Sequence, residues 1–275
     1  VQRDTQVDSF LVQEGKIQGV LCNGKAFYGQ AVVLATGGAA YPATGSTGDG
    51  YRLARSVGHT IIPIRPALVP LKISGDLPRK VAGLHLRNIE IRLSFKKTKK
   101  KKKAFGELQF MEYGVSGPIV LSLSGMIVDA LRSGEQVKMT LDMKPALDEQ
   151  QLDARLQRDF TDRNKEHMDS VLRGLLPKEM VPVCLAEVGI PSDRLAGEMR
   201  TTERKRLRYW LKNIPLQVSG YRGFEEAIIT AGGVTLNEVN PRTMESKCCP
   251  GLYLVGELLD LQADTGGYNL QAAFS

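Results

Sequence analysis

The sequence predicts an α/β fold of the nucleotide-binding type, with sheet residues framing a helical segment, and three observations carry that prediction. The first is a continuously apolar strand, Ala31-Val-Val-Leu-Ala35, which Thr36-Gly37-Gly38 stops and which a glycine-rich loop and a helical pattern follow. The second is a return of the same grammar late in the chain, where apolar Leu252 to Val255 runs straight into Gly256-Glu257. The third is a change to helical periodicity from Leu147 to about Asn213, with Leu152, Leu156 and Phe160 four residues apart.

Each element has a local reason. Val7 to Val12, Ile17 to Cys22 and Ala26 to Leu34 read as short strands, because Glu14-Gly15-Lys16 and Asn23-Gly24 between them are tight-turn sequences. The continuously apolar end of the third suits a strand covered on both faces. Tyr51 to Val57 is the helix after the glycine loop. Pro63, Pro66 and Pro70 suit a semi-rigid crossing more than a helix or a central strand and place a boundary near Ile64. Asn88 to Phe95 alternates apolar with polar residues, so it is a half-buried strand, and Phe105 to Phe110 returns as its hairpin partner. Gly114-Val-Ser-Gly117 reads as a turn opening a helix from Pro118 to Leu123, and Val137 to Met143 as a further strand. In the helical segment, Pro177 is placed to open one helix and Thr201-Thr202 to cap another over Glu203 to Lys212.

Composition narrows the function. The 275 residues are 42% apolar, enough for more than one core, which excludes disulfide-stapled, collagen-like and disordered classes. The formal charge of +7 comes from one place: Lys96, Lys97 and Lys99 to Lys103 are seven lysines whose removal brings the charge to zero. A cationic hairpin tip blocks edge pairing, and a solvated loop is its preferred reading, with no nucleic-acid partner expected. Cys22, Cys184, Cys248 and Cys249 lack C-x-x-C spacing, so reduced thiols and a cytoplasmic location are expected. No run approaches the ~18–20 apolar residues of a membrane span. Val1 and the uncapped final helix, Asn269 to Ser275, read as the ends of an internal fragment.

Chemistry-bearing residues are few. His59, His85 and His167 show no cysteine or carboxylate at ligand spacing, so no metal site is expected. Gly114-Val-Ser-Gly117 fails as a nucleophile elbow because Pro118 stands where that turn needs glycine. The glycine clusters remain. Ala35 to Ala54 combines a strand-ending glycine pair, a bend free of Cβ and a helix beginning near Asp49; Leu252 to Ala273 places Glu257 after a strand and opens a helix at Thr265-Gly266-Gly267. A helix N-terminus can hold a phosphate or the negative edge of a reduced flavin, and Glu257 can accept bonds from polyol hydroxyls or serve as a plain surface carboxylate.

In VVLATGGAAYPATGSTGDGYRLA from Val32, GELQFMEYGVSGPIVLSLS from Gly106, and the run from Thr230-Ala-Gly-Gly-Val234 through Met244-Glu-Ser-Lys247 to GEL-LD and TGGYNLQAA, the chain resembles the bacterial aminoacetone-oxidase-like NAD(P)/FAD-dependent oxidoreductases. The resemblance covers nearly the whole chain. It implies an FAD/NAD(P)-binding Rossmann-like domain, incomplete here and split over 1–65 and 231–275, around a β-barrel-like domain over 66–146 and 214–230 with a helical insert over 147–213. It further implies that Thr36, Gly37 and Gly38 pass close to FAD, that Gly45, Thr47, Gly48 and Asp49 line its ring side, that Gly256 and Glu257 meet the ribityl-pyrophosphate region, and that Gly266, Gly267, Tyr268 and Asn269 approach the ring. The family's opening G-x-G-x-x-G turn has no counterpart in these residues.

The activity so implied is hydride transfer through flavin, with NAD(P)H as reductant and a small organic molecule as substrate; relatives are linked with amine oxidation and with reduction of unsaturated oxo-steroids. Tyr41, Tyr113, Tyr221 and Arg222 are polar residues on glycine-rich loops to which no catalytic role is assigned. Two other readings stay open: a catalytically incomplete flavoprotein fragment, and a non-enzymatic module that binds an acidic partner through the lysine run.

Overall fold

An antiparallel meander opens the chain: β1 (Ser9–Gln13), β2 (Lys16–Cys22) and β3 (Lys25–Tyr28), in that order across the sheet. Glu14-Gly15 and Asn23-Gly24 all have positive φ, between 49° and 77°, which is the conformation of a two-residue turn matched to strand twist. The computed structural model describes residues 1–275, and they divide into two compact units, Val1–Val69 with Ser122–Val128 and Arg222–Ser275, and Pro70–Leu121 with Asp129–Tyr221.

In the first unit, the single strand expected from Ala26 to Leu34 is two. β3 ends at Tyr28 and β4 spans Val32–Leu34, because β3 pairs antiparallel with β2 whereas β4 pairs parallel with a strand more than 200 residues away. Nor is β4 covered on both faces: Leu34 is buried, but Val33 is 61% exposed. The 3-10 turn Pro42–Thr44 and the helix α1 (Asp49–Ser56) follow. The proline segment expected to be a crossing is instead strand β5 (Ile61–Ala67). A two-stranded ribbon tolerates this, since its register shifts by Gly232, opposite Ile62 to Ile64, and a proline without N–H suits a bulge.

The second unit is a closed six-stranded barrel. Its strands are β6 (Leu71–Ile73), β7 (His85–Phe95), β8 (Lys101–Met111), β9 (Gly114–Ser116), β10 (Val137–Asp142) and a later β11, in the order β10-β11-β6-β9-β8-β7. The alternation in β7 places Ile89, Ile91, Leu93 and Phe95 inside, and Phe110 of β8 is fully buried. Two expectations change here. Gly114 to Ser116 is a barrel strand, because Gly114 alone lets the chain pass against the Leu71 carbonyl; and the lysines are not only the tip, since Lys101 to Lys103 belong to β8. Short α2 (Leu77–Lys80) packs on β8, and α3 (Pro118–Arg132) runs on past the expected end at Leu123 to Arg132, its residues 122–128 clustering with the first unit.

The helical stretch holds α4 (Glu149–Asp162), α5 (Met168–Leu172), α6 (Met180–Val188) and α7 (Thr201–Lys212). Asp148 and Gln151 close a capping box on α4. Pro177 stands three residues before α6, and α7 starts at Thr201 rather than after it: Glu203 reaches back to accept the Arg200 N–H, so the carboxylate closes the end assigned to Thr201-Thr202. β11 (Ile214–Tyr221) then closes the barrel.

The chain returns to the first unit as β12 (Ile229–Val234), paired antiparallel with β5, β13 (Leu252–Leu254), paired parallel with β4, and α8 (Gly266–Phe274). Leu34, Tyr51, Leu53, Val234, Leu254 and Leu258 meet in one core beneath the glycine segments. No helix is long and apolar enough to cross a membrane.

Candidate functional site

The parallel pair β4–β13 brings the two glycine clusters together. Leu254 stands opposite Leu34, and the Val255 N–H donates to the Leu34 carbonyl at 3.2 Å, so both strands deliver their carboxyl ends side by side. Carboxyl ends of parallel strands are where open α/β sheets place ligands. On one side the chain continues as Thr36-Gly37-Gly38, on the other as Gly256-Glu257.

Thr230 of β12 ties the two sides. Its Oγ1 accepts the Ala39 and Ala40 N–H groups at 2.7 and 3.0 Å, and its own N–H donates to Glu257 Oε1 at 2.6 Å. Gly38 lies inside this junction: a Cβ there would collide with Thr230 Oγ1 and come within 2.5 Å of Glu257 Oε1. Gly38 is therefore a packing requirement. Glu257 is half-buried and holds one oxygen on Thr230, which leaves Oε2 as its second acceptor.

The loop of Gly45 to Gly50 folds back on the first cluster. A Cβ on Gly37, whose φ is 71°, would stand 3.2 Å from Ser46 Oγ, and one on buried Gly50 would strike Thr36 Oγ1. Gly48, at φ 83°, is the N-cap of α1 and supplies no side-chain bond to the helix end, while Asp49 occupies its first turn. Gly45 and Thr47 are exposed on this loop. Tyr51 reaches across so that its hydroxyl donates to the Glu257 carbonyl at 3.4 Å. Burial, and then the Glu257 charge, push the Tyr51 phenol well above its ordinary value against an opposing bond with Thr230, so it stays protonated.

The other expected residues occupy the start of α8. Gly256 is close to this helix, since a Cβ on it would lie 4.0 Å from the Ala273 Cβ. A Cβ on Gly266 would stand 3.4 Å from Ile228 Cγ2, Gly267 faces open space, and Tyr268 is 69% exposed. Asn269 does not present its amide outward. Its Oδ1 accepts the Ala263 N–H and its Nδ2 donates to the Ala263 and Thr265 carbonyls, so it fastens the loop that enters its own helix.

Thr230 and Tyr51 are site residues that no motif in the sequence singles out. Thr230 sits in a motif that points to it only once β12 is known to reach the ends of β4 and β13. His59, for which the sequence shows no carboxylate at ligand spacing, has its Nδ1 3.1 Å from Glu238 Oε2, a carboxylate 179 positions away in the chain.

Comparison with known proteins gives concordant results. The family described as HI0933-like protein Rossmann domain matches residues 1–275. The 3-dehydro-bile acid delta(4,6)-reductase of Clostridium scindens is 34% identical over 256 residues, covering 93% of this chain and 62% of that protein. The ribosomal RNA dihydrouridine synthase of Escherichia coli is 30% identical over 92% of this chain and 60% of that protein, and the one of Haemophilus influenzae is 29% identical over 89% and 57%. The chain thus spans about three fifths of the length of these relatives. None of the three is described as an aminoacetone oxidase.

Proposed function

This chain belongs to the HI0933-like Rossmann-domain family, and on that premise we propose that it forms part of an FAD-dependent reductase that takes its electrons from NAD(P)H. The observation that carries the reading is the junction of Gly38, Thr230 and Glu257 at the carboxyl ends of β4 and β13. The residues present fit a flavin. Gly37 keeps the backbone thin, Gly45 and Gly267 leave open space where a Cβ would stand, and α1 and α8 both start without a side-chain cap. Uncapped first-turn N–H groups suit a phosphate or an electron-rich ring edge.

In this reading Thr36, Gly37, Gly38, Gly45, Thr47, Gly48 and Asp49 border the cofactor from the β4 side, and Gly256, Glu257, Gly266, Gly267 and Tyr268 from the β13 side. Asn269 positions the loop that enters α8. Glu257 Oε2 accepts a polyol hydroxyl, and Thr230 fixes that carboxylate in place. Bound FAD supplies hydride transfer. The protein's part is orientation and exclusion of water.

The relatives' names share a reaction class, the addition of two hydrogens to a ring carbon–carbon double bond. For this chain we take the substrate to be a small cyclic molecule whose double bond is conjugated with a carbonyl, which receives hydride at one carbon and a proton at the other. The test is anaerobic. The protein loaded with FAD is expected to lose its visible absorbance on adding NADH or NADPH and to regain it on adding a 4-en-3-one steroid. Recovery only with oxygen would remove the double-bond reading; failure to retain FAD would remove the flavin reading.

One observation favours a second reading, in which the double bond belongs to a uridine of RNA. Lys99 to Lys102 are exposed, and a surface cavity of about 360 Å³ on the barrel is lined by Arg92, Lys101, Lys102, Lys103 and Lys138. In that case replacing Lys99 to Lys103 by glutamine abolishes salt-dependent RNA binding and leaves flavin binding intact.

A further inference from the structure

Away from the junction, a second cluster of polar side chains precedes β13, whereas Glu257 follows it. His59 comes from the loop after α1, Glu238 from the 3-10 turn Leu236–Glu238 after β12, and Cys248 from the loop before β13. Their ligand atoms lie within 4.8 Å of one another. We propose that His59 Nδ1, Glu238 Oε2 and Cys248 Sγ form a binding site for one thiophilic divalent cation of the Zn2+ type.

Four features support this. The donor set is one imidazole, one carboxylate and one thiol, the ligand types that zinc takes. Backbone bonds hold the three segments in place independently of any ion: Thr235 N–H to the Thr60 carbonyl at 3.1 Å, Lys247 N–H to the Glu238 carbonyl at 2.9 Å, and an antiparallel bridge between Val239 and Ser246. Two of the ligands already have outer partners, since His59 Nε2 lies 2.7 Å from Ser246 Oγ and Glu238 Oε2 accepts the Thr60 N–H at 2.8 Å. Such partners orient a metal-binding ring and carboxylate. Finally, the His59 side chain is fully buried while Cys248 is exposed, so the site has a fixed floor and an open entry.

The geometry requires little movement. Tetrahedral zinc holds its nitrogen, oxygen and sulfur ligands at about 2.0–2.3 Å, hence about 3.3–3.8 Å apart, so the cluster must draw in by about 1 Å, which exposed Cys248 can supply. With Nδ1 on the ion the ring proton sits on Nε2 and is donated to Ser246 Oγ, which gives up one of the Cys248 and Cys249 N–H groups it otherwise accepts as the Cys248 loop draws in, and the thiol proton goes to solvent. One carboxylate and one thiolate then balance the dication. A water completes the fourth position.

Co2+ in place of Zn2+ makes the thiolate visible. The full chain, reduced and free of chelators, is titrated with Co2+, and Zn2+ is measured by competition. The expected result is one equivalent bound with a sulfur-to-cobalt charge-transfer band, loss of that band with more than about tenfold weaker Zn2+ binding in Cys248→Ser and Glu238→Gln, and no change in Cys184→Ser. No stoichiometric binding, or a band that survives Cys248→Ser, overturns the proposal. Because no FAD is added, the outcome is independent of the flavin reading.

Discussion

The barrel and the β4–β13 pair both carry apolar side chains on their strands, but they bury them to different degrees. In the barrel every strand has two neighbours, and Ile91, Phe110, Val115 and Leu141 are fully buried. In the parallel pair each strand is three residues long, and the middle residue of β4 points Val33 into solvent. What the short pair contributes is position: it sets two glycine segments beside each other, and Thr230 locks them. One region is built for stability, the other for the placement of backbone.

Substitutions separate the two most sharply. Phe110→Ala leaves a cavity in the closed barrel and is expected to cost about 3–5 kcal/mol by urea unfolding, whereas Val33→Ala, on an uncovered face, stays within about 0.5 kcal/mol. Equal losses at the two positions would erase the contrast. A smaller effect belongs to the junction. Thr230→Val keeps the shape but leaves the Ala39 and Ala40 N–H groups without their acceptor, an expected loss of about 1–3 kcal/mol, together with weaker FAD binding. Stability lost with cofactor affinity unchanged would mean that Thr230 serves only packing.

The smallest effect lies in the helical stretch and is read by pH. Bonds from Arg163 and Ser170 hold the Glu166 carboxyl down to about 2, from an ordinary 4.5. A depressed folded-state value gives stability that is present above pH 4.5 and disappears as the pH falls toward 2. Arg163→Gln removes that contribution, so the variant is expected to be less stable than the wild type at pH 7 and to converge on it as the pH falls toward 2, which urea titrations at pH 7 and pH 3 would show as a smaller difference at the lower pH.

How much of this was legible in the sequence follows from the range of the forces involved. The β7 alternation and the Asn23-Gly24 turn are local and could be read directly. The break between Tyr28 and Val32 could not, because it is imposed by a change of partner from β2 to β13. The same holds for β5: Pro63 and Pro66 argue against a strand until the bulge opposite is known. Both glycine clusters were visible as clusters, but Thr230 became a site residue only through bonds to Ala39 and Glu257, 191 and 27 positions away. His59 and Ser246 meet across 187 positions, which no spacing rule spans.

In the proposed function the Gly38–Thr230–Glu257 junction borders a flavin, and an FAD titration of the wild-type chain beside Gly38→Val tests this directly. Quenching of FAD fluorescence by the wild type, with affinity lowered by more than about tenfold in a Gly38→Val protein whose barrel still unfolds cooperatively, is the predicted result. Equal binding by both proteins, or none by either, would contradict it.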